Sequence, residues 1–240
     1  MSVFIASTVL LSGLVLPTIP PMRIAPTASG AADGSSWENA GSLSQLNGFI
    51  AIAAATGAQV WLRADAGTYS RTSALTISNG GPNVDSPVII RGVNANGYDA
   101  FAEIVGNRAS PWSKGLADGS ECLRLNSGAN NLFFKYIRFR NLGRGCFRGR
   151  EVINNFRCED IEAFNVNTFF SNDPANSASL STINGFIMRR CYAKGFSKTF
   201  ARIQGNTNNG IVEDCEGDSD RQDKDNFASG FILYDTAHSF

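Results

Sequence analysis

The sequence predicts an all-β parallel solenoid preceded by a capping α-helix. Three observations predict it: an internal repeat in the twenties of residues, short β-rich runs punctuated by Gly, Asn, Asp and Ser, and one helical period near the start of the chain. With 240 residues, 43% hydrophobic and 18% charged, the chain can bury a sizeable core, which excludes a disordered protein. A single His, His238, excludes most His-based nucleophile and zinc chemistry unless that residue does all of it.

The N-terminus reads as an export segment over residues 1–30. Val3 to Leu16 is apolar, Pro17 to Pro26 is Pro-rich, and Thr27-Ala28-Ser29-Gly30-Ala31-Ala32 offers small residues for cleavage. No Lys or Arg precedes the apolar run, a departure from the usual signal pattern. The expected mature chain is 31–240, outside the cytoplasm: secreted, periplasmic or on the cell surface. No central segment reaches the roughly 18 apolar residues a membrane helix needs.

Ser42-Leu43-Ser44-Gln45 has capping-box spacing, and Leu43, Leu46, Phe49, Ile50, Ala53 and Ala54 follow with helical period. Gly57 supplies a left-handed stop. Short strands are then expected at Gln59–Arg63, Ala74–Ser78, Pro87–Arg91 and Glu103–Val105.

The repeat is clearest in Asn131-Leu-Phe-Phe-Lys-Tyr-Ile137, Asn155-Phe-Arg-Cys-Glu-Asp-Ile161, Gly185-Phe-Ile-Met-Arg-Arg-Cys191 and Asn209-Gly-Ile-Val-Glu-Asp-Cys215. Its anchors Ile137, Ile161, Cys191 and Cys215 lie 24, 30 and 24 residues apart. A second element repeats at Leu123-Arg-Leu, Ala201-Arg-Ile and Phe231-Ile-Leu. Strand alternation sorts the anchors, with Phe139, Ala163, Ala193 and Gly217, into an inward ladder. The outward ladders are then Arg138, Glu162, Tyr192, Glu216 and Arg140, Phe164, Lys194, Asp218. Recurrent Asn131, Asn155, Asn184 and Asn209 suit turns and stacked hydrogen bonds. The five cysteines form no C-x-x-C pair and read as small buried hydrophobes.

Ala32-Asp-Gly-Ser-Ser-Trp37-Glu-Asn-Ala, the helix, and Val60-Trp-Leu-Arg-Ala-Asp-Ala-Gly-Thr-Tyr69 resemble the N-terminal cap and first coil of right-handed parallel β-helix proteins of the pectate-lyase-like superfamily. Asp225-Asn-Phe-Ala-Ser-Gly-Phe231 resembles a later coil. The resemblance implies a right-handed parallel β-helix and, among its members' activities, action on acidic polysaccharides or a role as adhesin or tailspike. The sequence lacks the Trp-Ile-Asp-His, Asp-Pro-His-Glu and Gly-His-Gly signatures of the catalytic members, so no catalytic set carries over.

Site chemistry is therefore sought on the outward ladders. Residues 124–202 hold 13 basic and 5 acidic side chains, and residues 203–240 hold 2 basic and 8 acidic, a division that suits a polyanion and a bound cation. Adjacent acid argues against nucleic acid as that polyanion. A uronan lyase needs a base beside a cation-neutralised carboxylate, and it needs no His. Lys194, Arg140 and Tyr192 are the expected catalytic residues, with Arg138, Phe164 and Arg202 binding substrate. Asp218, Asp220, Asp223 and Asp225 form an acidic segment suited to Ca²⁺, which takes six to eight oxygens. The alternative is a non-catalytic β-helix that binds glycans or serves as a surface module. Phe231 to Phe240 opens another coil with no following strand, so a C-terminal continuation or capping partner is expected.

Overall fold

The computed structural model describes residues 19–113, 119, 122–172, 182–204, 207–219 and 229–234. In chain order they form β1 (Met22–Ile24), α1 (Leu46–Thr56), β2 (Val60–Arg63), β3 (Tyr69–Ser70), β4 (Leu75–Ile77), β5 (Val88–Val93) and β6 (Ala102–Val105). There follow β7 (Leu123–Leu125), β8 (Leu132–Leu142), β9 (Phe147–Gly149), β10 (Ile153–Val166), β11 (Thr168–Asn172) and β12 (Ile183–Arg189). The last are β13 (Tyr192–Lys194), β14 (Thr199–Gln204), β15 (Thr207–Glu213), β16 (Glu216–Asp218) and β17 (Ser229–Tyr234). No helix among the described residues is long and apolar enough to cross a membrane.

Every pairing between these strands is parallel, and the chain visits three ladders in turn. The first runs β1-β2-β5-β8-β10-β12-β15, and the third β4-β7-β9-β11-β14-β17. The second joins β3, β6, the later halves of β8 and β10, β13 and β16. β8 and β10 serve two ladders because Tyr136 and Asp160, both at φ 51°, turn left-handed in mid-strand. Arg190 (φ 47°) and Asp214 (φ 51°) hold the same corner in later coils. The arrangement is mostly β with one short helix, and it is compatible with a parallel β-helix.

The predicted register holds. Ile161 pairs with Ile137, Glu162 with Tyr192, and Tyr192 with Glu216. Leu123, Phe147, Phe170, Ala201 and Phe231 form the second repeating position, of which the sequence repeat marks the first and the last two. Inward residues Ile137, Phe139, Ile161, Ala163, Cys191 and Ala193 are buried, while Cys215 is half-buried. A Cβ on Gly217 would lie 3.2 Å from the Phe200 ring, so core aromatics occupy the space a side chain there would take. Phe134, Phe147, Phe156, Phe170 and Phe186 fill the interior, with centroid separations of 4.7–6.0 Å. Such aromatic stacking accounts for much of the chain's Phe content.

Asn side chains stack as expected, with one correction. Asn155 Nδ2 donates to Asn131 Oδ1 at 2.7 Å, and Asn184 Nδ2 donates to Asn154 Oδ1 at 2.8 Å. Asn184 therefore belongs to a neighbouring ladder, and Gly185 takes the left-handed rung (φ 74°) between Asn155 and Asn209. Glycine takes that backbone readily, and a Cβ there would meet Asn155 Oδ1 at 2.5 Å, so the Asn155 side chain would have to shift.

The helix begins after a 3₁₀ turn at Leu43–Gln45, where the Ser42 N–H donates to Gln45 Oε1 at 2.8 Å. Gly57 ends it at φ 77°, donating its N–H to the Ala53 carbonyl. Leu46, Phe49, Ile50 and Ala53 join the core against β1, β2, β4 and β5. The helix is not the first ordered element. β1 precedes it within residues 1–30, pairing Met22 with Val60 and burying Ile24.

Two outcomes test this packing. Phe156→Ala is expected to destabilise the protein by about 3–5 kcal/mol in urea unfolding. A chain beginning at Ala31 lacks β1 and is expected to unfold at lower urea than one beginning at Ile19.

Candidate functional site

The second ladder carries most of the residues singled out from sequence. Alternation with buried Ile137 and Phe139 turns Arg138 and Arg140 outward, and the register lays Glu162, Phe164, Tyr192, Lys194, Glu216 and Asp218 over them. Arg138 Nε lies 2.7 Å from Glu162 Oε2, Arg140 Nε lies 2.7 Å from Glu103 Oε1, and Lys194 Nζ lies 3.5 Å from Asp218 Oδ2. Aromatic rings pack among these pairs. The Arg140 guanidinium sits 5.1 Å from the Phe164 centroid, Arg138 sits 5.1 Å from that of Phe101, and Tyr192 meets Phe164 edge-on at 5.9 Å. The face thus combines ring surfaces with matched charges, a surface able to stack on sugar rings and hydrogen-bond their hydroxyls. Lys194, ion-paired and half-exposed, has the setting of a binding cation.

Two sequence-derived groupings come apart. Arg202 lies on the third ladder, paired with Ser171, away from Arg140 and Lys194. Asp220, Asp223, Asp225 and His238 lie outside the described residues. Asp218 is placed, and its carboxylate faces Lys194. Among the described residues no group of three or more His, Cys, Asp or Glu side chains could hold a metal ion.

The structure adds a groove of about 320 Å³ on the first ladder. Its floor is an outward row in which Phe133, Arg157, Ile187 and Ile211 stack in register across β8, β10, β12 and β15. Val84 and Pro87 also line it, and Asn155, Gly185 and Asn209 line the corner. The Arg157 guanidinium covers the Phe133 ring at 4.2 Å, with Nε held 2.7 Å from Glu159 Oε1. Glu159 is only 4% exposed and gathers four cations, with Arg190 at 3.1 Å, Arg189 at 3.7 Å and Lys135 at 3.9 Å besides Arg157. Such company is what a buried carboxylate requires. Sequence reasoning missed this groove, although its signal is present: Phe, Arg, Ile and Ile occupy one outward position of the repeat, where solvent-facing residues are expected.

Beside it, Arg190 donates to both Asp160 oxygens, at 2.7 and 2.9 Å, and this hydrogen bonding holds the Asp160 carboxyl below its ordinary value. Burial raises the Tyr136 phenol, reinforced by the charge of Asp160. Burial also pushes the Cys122 thiol up to about 12, consistent with a packing role.

Comparison with protein-family models, with curated proteins and with solved structures finds no match to this chain.

The lowered Asp160 value sets a sign. Its contribution to stability is fully present above the ordinary carboxylate value, near 3.8, and is lost as pH falls through the lower folded value. The stability gap between the wild type and Asp160→Asn is therefore expected to be widest near neutrality and to close in strong acid, read by urea unfolding across pH. Native protein is also expected to leave Cys122 unalkylated by iodoacetamide at pH about 8, with labelling appearing on unfolding.

Proposed function

We propose that this protein is a right-handed parallel β-helix of the pectate-lyase-like kind, its N-terminal end capped by α1, that acts outside the cytoplasm by binding an acidic polysaccharide. The observation that carries this reading is the groove over Phe133, Arg157, Ile187 and Ile211. It runs along the stack, so it offers a repeating polymer one contact per coil at about 4.8 Å. Ring and aliphatic surface suits the C–H faces of sugars, Asn155 and Asn209 suit hydroxyls, and Arg157 suits a uronate carboxylate. Arg138, Arg140, Phe164 and Tyr192 provide a further platform of the same chemistry around the corner.

A lyase is the second reading, favoured by the adjacency of Tyr192, Lys194 and Asp218 on one exposed face. A base would remove the proton next to the uronate carboxylate, and the electron pair would expel the glycosidic oxygen, leaving an unsaturated end. A Ca²⁺ requirement, with the acidic segment from Asp218 as ligand, belongs to this reading.

Affinity electrophoresis in pectate, alginate and neutral glucan gels separates the two. Binding is expected in acidic gels, weakened about tenfold by Phe133→Ala or Arg157→Ala and little changed by Lys194→Ala. Ultraviolet absorbance of unsaturated uronate, followed with Ca²⁺ and with chelator, is expected to stay flat. A rise abolished by Lys194→Ala would establish the lyase.

A further inference from the structure

The first ladder turns two rows of side chains outward, and their order makes the face complementary to itself. Alternation with buried Phe134, Phe156 and Met188 places Phe133, Arg157 and Ile187 on the outer side, with Ile211 next in register. Two residues further along each strand, Lys135, Glu159, Arg189 and Glu213 form the second row and alternate in sign. Arg91 precedes Lys135 and breaks the alternation; it is paired with Asp99 and lies outside the set. The first row is apolar where solvent-facing residues are expected. Ile211 is 41% exposed, and Val84, which lines the same groove, is 60% exposed. Adjoining apolar side chains left in water mark an interaction surface.

A two-fold axis parallel to the strands, passing between β10 and β12, lays this face on a second copy with the coil order reversed. Lys135 then comes opposite Glu213 of the second copy, and Glu159 opposite its Arg189, so every charge of the set meets its opposite. In the other row Phe133, with Val84 beside it, comes opposite Ile211, and the Arg157 stem lies against Ile187. Each contact occurs twice, as an isologous interface requires. Keeping the coil order instead sets the charged row against itself, like on like, or against the apolar row, where its charges find no match. The order of charges therefore selects the reversed arrangement. Within one copy Lys135 already lies 3.9 Å from Glu159, and Arg189 lies 2.7 Å from Glu213. The second copy extends these pairs, which sets orientation, while burial of Val84, Phe133, Ile187 and Ile211 supplies affinity.

We propose that the first face docks a second copy of this chain, forming a reversible two-fold dimer in which the two stacks run in opposite directions. Its size fits that strength. β12 and β15 each have 7 residues. Four rungs about 4.8 Å apart and a rise of about 3.3 Å per residue give a patch of roughly 400 Å² on each copy. The total stays below about 1,200 Å², the range of transient pairs. A second copy seated here covers Phe133 and Arg157, so association and occupation of the groove by any other ligand exclude one another. The inference rests on the order of the two rows, and it stands or falls whether or not a glycan binds.

The test is sedimentation velocity on the full chain over about 1–200 μM, where a dimer with micromolar Kd is expected to grow with concentration. Lys135→Glu and Glu213→Lys are each expected to weaken association about tenfold or more, because each sets like charges opposite one another twice. Mixing the two variants in equal amounts is expected to restore it, since both contacts of the mixed pair are matched again. Ile211→Asn alters no ion pair and is expected to weaken the dimer about tenfold. Each variant is expected to keep its β-sheet circular dichroism; where a charge variant loses it, Ile211→Asn decides alone. A wild-type chain that stays monomeric throughout would overturn the proposal. So would a mixture of folded charge variants that associates no more tightly than its components, which would place association on another surface, or folded Ile211→Asn dimerising like the wild type.

Discussion

Everything on the outside of this protein depends on the stacking of inward side chains at equivalent positions of successive coils. Ile137 on Ile161, Phe139 on Ala163, and Phe156 between Phe134 and Phe186 set the parallel register, and a slip of one residue would send each of them to solvent. Burying this aliphatic and aromatic surface supplies the main driving force. The backbone corners are tolerated on top of it. Tyr136, Asp160, Arg190 and Asp214 sit in left-handed conformations that disfavour residues with a Cβ. The Arg190–Asp160 pair lies at two of them and links one coil to the next.

Once the register is fixed, the outward rows follow, and their composition divides the faces by chemistry. On the first face Lys135, Glu159, Arg189 and Glu213 alternate in sign, while Arg91 stacks directly on Lys135. The third carries Arg124, Arg148 and Arg202, each engaged within the protein. A stack of this kind discriminates ligands mainly by charge per unit length and by the texture of its rows, since its contacts recur at one spacing. Aromatic and aliphatic texture is concentrated at Phe133, Ile187 and Ile211 and at Phe101, Phe164 and Tyr192, and the proposed sugar-binding reading rests on those two rows.

The legible part of the sequence was the part under the tightest constraint. The inward anchors admit only apolar or small side chains, so Ile137, Ile161, Cys191 and Cys215 revealed both period and register. The helix was legible because Gln45 and Gly57 mark its ends by local hydrogen bonding. β1 was hidden because three residues among prolines carry no readable period, and only β2 makes them a strand. β11 was hidden for a different reason: all five of its residues are buried, so alternation disappears. β9 is too short to show any. Without those two strands the third ladder is legible only at Leu123, Ala201 and Phe231, and Arg202 was grouped with residues that lie on another face. The groove also needs Val84 and Pro87 brought beside the row, a tertiary arrangement with no local signature.

Glu159 shows how the core and the surface are joined. It follows Cys158, whose side chain is in the core, yet its own side chain is also nearly covered. A carboxylate there would be costly alone, and four cations converge on it from three strands and a corner. The same contacts fix Arg157 above Phe133, where a free arginine would sample many rotamers. The groove therefore presents a guanidinium whose position is set in advance by a buried acid, and less ordering cost remains when an anion arrives. Lys135, Arg189 and Arg190 share the acid without neutralising one another. In this way a residue chosen for the register of the coil also determines where the first face can receive negative charge.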